Sequence, residues 1–426
     1  MASFSIPLTG LQADSIALNT VANDLANMNT TAFKTQTTNF ADLFYQQIGT
    51  SGAGDPILLG AGVKVASNVT SYTQGSINST GNATDVAIDG SGFFILGNGT
   101  GGYEYSRAGN FSLDSSGNLL AQNGMNVMGY PAVNGVVNTN ASLTAINIPI
   151  GQVLSPKAST TMSMTANLNS SATVNTTFPA EITVYDSLGQ SHVVTVTFDK
   201  TATNVWSYSA AIPAADFTSG TSTAVTGTMA FDSSGNLTTI TPNGGTAETV
   251  GTATGDVSSI ALSFTGLANH ASDLSLRWNL LNSSNTPNIS QVDTTSAVSS
   301  TTQNGYASGQ YQNFSIGSDG TVTSSYSNGQ KQNVGQLALA NVANLHGLQL
   351  IGDGDYLTTL ASGTATISTS GSAGLGTLQD DALEASNVNI SAEFSNLIVA
   401  QRAFEANAKS VTTFDTVTQD TINMVH

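Results

Sequence analysis

The 426-residue chain has no cysteine, which excludes disulfides, thiolate metal sites and thiol redox chemistry. Charge is scarce: Asp, Glu, Lys and Arg make up 8% of the residues, against about a quarter in ordinary globular proteins. Nine basic residues face 27 acidic ones, a net charge of −18, and the basic ones are scattered. Nucleic acid and anionic membrane surfaces need a basic patch and are not expected partners. The opening MASFSIPLTG lacks a basic n-region and an apolar h-region, so no cleavable secretory signal is read. No run approaches the roughly 18 apolar residues of a membrane span. The chain is therefore expected to be soluble when made, and to leave the cell, if it does, by a route that needs no cleaved signal.

What is present is organised by the two ends. Residues 382–426 lie within the longest stretch free of Gly and Pro. Steps of three and four give Phe394, Leu397, Gln401, Phe404, Ala408, Val411, Asp415, Thr418, Ile422 and Val425, and seven of these ten are apolar. That spacing predicts one stripe along a helix, with Ser391 as N-cap and Glu393 at the positive end of the dipole. From Ala392 onward such a helix would run roughly 50 Å, more than a compact domain needs for itself. Residues 5–29 carry Leu8, Leu11, Leu18, Ala22 and Leu25 on the same spacing, widened by Val21 and Met28. Ser5 serves as a plausible cap, Pro7 is tolerated in the first turn, and Gly10 weakens the helix. Two such helices can pair, joining the chain ends and looping out the middle. The plainer alternative is two helices capping a globular core.

The middle reads as β throughout. Phe33, Phe40, Leu43, Phe44 and Tyr45 suggest an aromatic anchor after the first helix, and 57–76 alternates around Val63, Val65 and Val69. Strands and turns follow in DVAIDGSGFFIL and YSRAGNFSLDSSGNLLAQNGMNVMGYP (85–131). DSSGNL recurs at 232–237. Its Asp and Gly fit a hairpin turn, and it lacks the alternating oxygen ligands and distal Glu of a calcium loop. From about 152 to 297, short alternating strands predict an inserted all-β sandwich or barrel with Trp206 and Trp278 in its core. Strands and hairpins like those of 85–131 resume at 304–330, and a Gly/Ser/Thr stretch from Ser362 to Gly376 leads towards the last helix.

No site for chemistry emerges. His192, His270, His346 and His426 are far apart and lack metal-ligand spacing. His192 could be paired with Asp186 or Asp199, yet TVYDSLGQSHVVTV reads as a hairpin with a surface or turn histidine and no nucleophile elbow. GNGTGG (97–102) precedes no helix and is no phosphate loop. Asp380 and Asp381 are read as linker residues. Catalytic, metal and cofactor sites are expected to be none.

With these segments in view, the chain resembles the bacterial flagellar rod–hook axial family, and its hook branch in particular. TGLQADSIALNTVANDLANMNTTAFK is similar to the family's opening signature, with an ANxxTxGFK element at Ala26–Lys34. DVAIDGSGFFIL, YSRAGNFSLDSSGNL and GMNVMGYPA resemble its shared first outer domain. LEASNVNISAEFSNLIVAQRAFEANAKSVTTFDTV resembles its C-terminal signature, and LSPKASTTMSMTANLNS and NGYASGQYQNFSIGSDGTVTSSYSNGQ are the hook-like parts. The resemblance spans the whole chain. The matching motif positions are Asn27, Thr30, Phe33, Lys34, Asn387, Gln401 and Arg402. Ala32 stands where the family usually has Gly; if a positive φ is needed there, Ala costs about 1 kcal/mol, or the turn differs.

The resemblance implies a mainly β fold with α-helical termini: paired N- and C-terminal amphipathic helices as a coiled-coil-like inner tube domain, a discontinuous β domain and an inserted all-β domain. The expected division is 1–30 with 382–426 (helical axial domain), 31–72 with 358–381 (connecting segment), 73–151 with 298–357 (discontinuous β domain), and 152–297 (inserted domain). Assembly is expected along Leu8, Leu11, Leu18, Val21, Leu25, Phe394, Leu397, Phe404, Val411 and Ile422. The implied role is a subunit of a hollow, bendable helical homopolymer outside the cell, a universal joint carrying torque from rod to filament. Implied partners are further copies of the chain, the distal rod protein, the hook cap protein, the hook–filament junction protein and the flagellar export apparatus, with no nucleic acid and no membrane insertion. In the family the terminal segments become helical on assembly, as expected of helices stabilised mainly by packing. The alternatives are a distal rod protein, which generally lacks the large insertion, and a Ser/Thr/Asn-rich adhesin, which would lack both terminal signatures.

Overall fold

The computed structural model describes residues 5–52, 54–97, 101–220 and 223–424. Helix α1 (Ser5–Ala26) opens this range and helix α2 (Ile390–Met424) closes it. Between them the described elements are strands and two single 3-10 turns. Asn389 caps α2: its carbonyl accepts the Glu393 N–H at 2.9 Å and its Oδ1 accepts the Ala392 N–H at 3.2 Å. The expected cap, Ser391, instead lies inside the first turn, where its carbonyl accepts the Ser395 hydroxyl. Asn is at least as good a cap as Ser, and sequence spacing alone cannot choose between residues two apart. Ser5 is the first described residue of α1, and the segment before it lies outside the described residues.

The chain divides into two compact units. The first comprises Met1–Ile150, Asn313–Ser325 and Lys331–His426; the second comprises Gly151–Gln312 and Tyr326–Gln330. The second unit extends beyond residue 297. Strand Ala297–Gln303 is the reason: it lies antiparallel to Thr161–Asn169, with Met162 opposite Gln303 and Asn167 opposite Ala297. Cutting at 297 would strip that ladder from the sheet.

The second unit is a sandwich. One sheet is a six-stranded antiparallel meander from Thr177–Tyr185 to Glu248–Thr249. The other has five strands, in which Thr161–Asn169 runs parallel to Leu274–Asn279 and to Ile289–Val292. Alternation drives the packing: in Ser191–Ala202 every second residue from His192 to Lys200 is buried. Trp206 and Trp278 are both fully buried. The Trp278 ring meets Phe198 and Tyr208 edge-on at 6.2 and 5.8 Å, and Trp206 Nε1 donates to Gln291 Oε1 at 2.7 Å. Each such aromatic contributes about 2–3 kcal/mol or more through burial.

His192 departs from the expected surface or turn histidine, being only 2% exposed. Its Nδ1 lies 2.8 Å from Asp216 and its Nε2 3.1 Å from Asp186. The inward phase of its strand buries it, and the carboxylates satisfy both ring nitrogens. With both nitrogens occupied, none is free to activate a hydroxyl, so no triad forms. The two DSSGN segments are matching turns. Asp114 Oδ1 accepts the N–H groups of Ser116 and Asn118, as Asp232 Oδ1 does for Ser234 and Asn236. Hydrogen bonds from Asn118 and Asn236 hold the two carboxyls below their ordinary pKa.

In the first unit, strand Lys331–Asn341 lies at the centre of the sheet, paired with Thr321–Tyr326, Asn126–Val133, Phe93–Gly97 and Thr366–Thr369. Two short ladders then bring the returning chain beside the outgoing one: Val86–Asp89 with Thr377–Asp380, and Ile77–Ser79 with Ala382–Glu384. Asp380 therefore ends a strand and is not a linker residue; its Oδ2 accepts the Ile316 N–H at 3.3 Å. The expected aromatic anchor is not buried. Strand Gln36–Asp42 pairs with Val63–Thr70, and Gln46–Thr50 with Pro56–Leu59, as separate two-stranded ribbons. Phe44 is 93% exposed, and Phe40 and Tyr45 are exposed with it.

Gly109, in the YSRAGN motif, lies against the Val86–Asp89 strand and accepts the Val86 N–H at 2.9 Å. A methyl group at this position would sit 1.7 Å from Val86 O. Gly109→Ala should therefore destabilise the first unit by about 3 kcal/mol, at the upper end of overpacking costs. Denaturant unfolding measures this, and a near-unchanged midpoint would refute the close approach.

Candidate assembly site at the joined chain ends

The two helices run antiparallel. Asn407 Nδ2 donates to Asp14 Oδ2 at 2.8 Å, while the charge of Glu393, in the first turn of α2, acts on Asp24 near the end of α1. Gly10 has a role beyond weakening α1, because a Cβ there would lie 2.7 Å from Asn407 Nδ2. Its absence lets the helices approach. The residues of α1 buried in this chain are Pro7, Gly10, Ala13, Thr20 and Asp24, which is not the leucine stripe. Leu11, Leu18, Val21 and Leu25 are half-buried, as are Leu397, Phe404 and Val411 on α2. Leu8 is 51% exposed, Phe394 49% and Ile422 56%. No described residue of α2 is buried, and from Asp415 to Met424 every one is exposed.

Below the helices, three distant parts of the chain meet at one carboxylate. Glu384 Oε1 accepts Lys34 Nζ at 2.6 Å and the Gly75 N–H at 2.9 Å. Its Oε2 accepts Arg107 Nε and Nη2, each at 3.0 Å. Arg107 Nη1 donates to Gly90 O and Gly92 O at 2.8 Å, and Lys34 Nζ also donates to Thr73 O at 2.8 Å. The three side chains are almost wholly buried. Burial lowers the Lys34 pKa, the Glu384 contacts oppose that shift, and Arg107 adds to it. The carboxylate is saturated with donors, which suits a clamp and leaves it no capacity as an acid or base.

Asn387 completes the clamp. Its Oδ1 accepts the Thr35 N–H at 2.8 Å, and its Nδ2 donates to Ser71 O and Thr73 O at 3.0 and 3.1 Å. Ala32 N donates to Glu384 O at 2.8 Å, and Asn387 N to Phe33 O at 3.2 Å. At the exit of α1, Asn27 Nδ2 donates to Asn23 O, and Asn27 Oδ1 accepts the Thr30 hydroxyl, both at 3.0 Å. Ala32 takes φ 56° and is buried, so the left-handed turn forms despite its Cβ, at about 1–2 kcal/mol.

The motif positions thus separate. Asn27, Thr30, Phe33, Lys34 and Asn387 shape the junction. Gln401 and Arg402 are exposed on α2, and among the described residues Arg402 pairs only with Glu405. Glu384, Arg107 and Asp24 were not singled out from the sequence. The available signal was their charge, in a chain where charge is scarce. Asp24 is 0% exposed; its Oδ2 accepts the Gln36 N–H at 3.0 Å and its Oδ1 has no partner among the described residues. Burial, with the Glu393 charge, raises its pKa to about 6 against the opposing Gln36 bond. Among the described residues no cluster could hold a metal ion, and no helix is long and apolar enough to cross a membrane.

Two tests follow from this geometry. Glu384→Ala leaves two buried cations without a counter-charge and should cost about 3–5 kcal/mol in denaturant unfolding; a loss below about 1 kcal/mol, the scale of an exposed pair, would show that the clamp is not holding. For Asp24 the folded pKa lies above the unfolded one, so its contribution is complete below pH 3.8 and lost as pH rises through about 6. Asp24→Asn should therefore be more stable than the parent at neutral pH, with the advantage vanishing as pH falls to 3.8. A pH-independent difference would contradict the burial of an ionising carboxyl.

Comparison with known proteins places these features in a family. The profile described as "Flagella basal body rod protein" matches residues 7–34, and "Flagellar hook protein FlgE/F/G D1 domain" matches 87–167. "Flagellar basal body protein FlaE D2 domain" matches 152–306, and "Flagellar basal body rod FlgEFG protein C-terminal" matches 379–424. The flagellar hook protein FlgE of Salmonella typhimurium is 36% identical over 439 residues, covering 99% of this chain and all of that protein. The flagellar hook protein FlgE of Treponema pallidum is 34% identical over 470 residues, covering 100% and 99%. The crystal structure of Helicobacter pylori flagellar hook protein FlgE2 superposes with a TM-score of 0.54 at 15% identity, covering 72% of this chain and all of that one, a likeness of fold.

Proposed function

The chain belongs to the flagellar hook protein family and is a structural subunit of the hook, and from that premise we propose that it polymerises through the uncovered faces of α1 and α2 into a hollow, bendable helical tube. The observation that carries this reading is the state of α2 in the lone chain. It is a 35-residue helix with no buried residue, and Phe394, Ile398, Val399, Val417 and Ile422 are each 49–68% exposed. So much apolar helix surface in water is unfavourable until a neighbouring copy covers it. The face of one copy and the face of the next need not be the same patch, and head-to-tail contacts that do not close on themselves give filaments.

In this reading the helices line the channel, and the clamp at Glu384 anchors them to the β part of the first unit. The expected helix stripe, from Leu8 to Leu25 and from Phe394 to Ile422, belongs to the polymer more than to the monomer. The four-part division of the chain serves as the layering of the tube. The joint between rod and filament must bend while turning, so contacts along the tube must slide between nearly equal states. A surface with few charged side chains has few ion pairs to pin those contacts. The polymer lies outside the cell, reached through the flagellar export apparatus, and it meets the distal rod protein, the cap and the junction protein at its ends. The inserted sandwich favours the hook over the distal rod as the place of this subunit.

Ile398→Ser with Val399→Ser tests the reading. Both side chains are exposed in the lone chain, so the β units should unfold at the parent's midpoint. Electron microscopy of the assembled protein should then show curved tubes for the parent and none for the double variant, with α2 helicity in circular dichroism lowered as well. Tubes of normal number and length from the variant would sink the proposal.

A further inference from the structure

The sequence contains six Asn-Gly pairs, the dipeptide in which an unhindered glycine nitrogen follows a side-chain amide; Asn98-Gly99 lies outside the described residues. The other five fall into two groups. In three, both reacting partners are held. Asn123 Nδ2 donates to Asp355 Oδ2 at 2.7 Å, its Oδ1 accepts the Met125 N–H at 2.9 Å, and Gly124 N donates to Ala121 O at 2.9 Å. Asn304 Oδ1 accepts the Thr160 and Thr161 N–H groups at 2.8 and 3.0 Å, and Gly305 N donates to Gln303 Oε1. Asn328 Nδ2 donates to Ala307 O at 2.7 Å, its Oδ1 accepts the Gln330 N–H at 3.0 Å, and Gly329 N donates to Tyr326 O at 2.9 Å.

Asn134 and Asn243 are different. Both are exposed, and neither side chain has a hydrogen-bond partner among the described residues. The nitrogens of Gly135 and Gly244 are likewise unbonded there, and space is open beside both glycines: nothing lies within 4 Å of a Cβ built at Gly244, and the nearest atom at Gly135 is Gln332 Cγ at 3.4 Å. Asn134 sits at the tip of the hairpin that pairs Val133 with Val136, and Asn243 at a turn closed by Gly245 N on Pro242 O.

We propose that Asn134 and Asn243 are sites of spontaneous modification, converting to aspartate and isoaspartate in the folded chain, while Asn123, Asn304 and Asn328 are protected by the fold. The glycine nitrogen loses its proton and bonds to the asparagine Cγ. The Cγ–Nδ2 bond breaks, ammonia leaves with a proton, and a five-membered succinimide remains. Water then adds to either ring carbonyl, one C–N bond opens, and the product is aspartate or isoaspartate. Water is the only co-reactant. At the first tip, conversion places a carboxylate between Val133 and Val136, which are 64% and 70% exposed. The surface of an old subunit thereby comes to differ from that of a new one.

The test is a time course of the full chain at mildly alkaline pH, followed by digestion and mass spectrometric mapping of the five asparagines, beside the same chain in denaturant. In the folded chain, Asn134 and Asn243 should convert about tenfold or more faster than the other three, whose hydrogen bonds must break before the ring can close. In denaturant all five should react at rates within about threefold of one another, because the protecting bonds are gone. Equal rates in the folded chain would overturn the inference. So would either Asn134 or Asn243 staying intact when folded but reacting when unfolded.

Discussion

A single buried carboxylate holds this architecture together. Glu384 meets a lysine 350 positions earlier and an arginine 277 positions earlier, and the backbone of the C-terminal return is threaded against the N-terminal turn through Ala32 and Asn387. Closing loops of that length carries an entropic cost that grows only slowly with length, but something specific must offset it. Two opposed cations around one acceptor, each with further carbonyl partners, meet the requirement that buried ions be paired and fully hydrogen-bonded. The clamp ties the segment that leads into α2 to the segment that leaves α1.

The clamp also accounts for how little the helices bury. Their anchoring comes from the junction below them, from Thr20 on the Gln36–Asp42 ribbon and from the close approach at Gly10. The chain itself leaves Leu8, Phe394 and Ile422 of the apolar stripe about half exposed or more. Asp24 lies where these demands meet: its carboxyl is enclosed between α1 and the ribbon, with one oxygen unpartnered among the described residues. The β units of this hook subunit carry buried cores within the single chain, whereas α2 has no buried residue.

The β units show how much of a structure local chemistry can set. Two copies of DSSGN give the same hydrogen bonds in different units because every partner lies within four residues. The two tryptophans reach the sandwich core because strand alternation points them inward. The five described Asn-Gly pairs make the opposite case: the same dipeptide is locked or free according to what the fold brings to it, from Asp355 on the Asn123 side chain to open space beside Gly244.

The sequence by itself determined the terminal helices, the β character of the middle, the tryptophan core, the turns and the family, since each rests on spacing or on neighbours a few residues away. The tertiary structure alone decided that Glu384 is the partner of Lys34 and Arg107, that His192 is buried between carboxylates, and that Ala32 accepts a left-handed turn. It also decided that the aromatic side chains near residue 44 and much of the helix stripe stay uncovered. Burial and pairing depend on which distant segments arrive at a point, and no periodicity in one segment records what lies across from it.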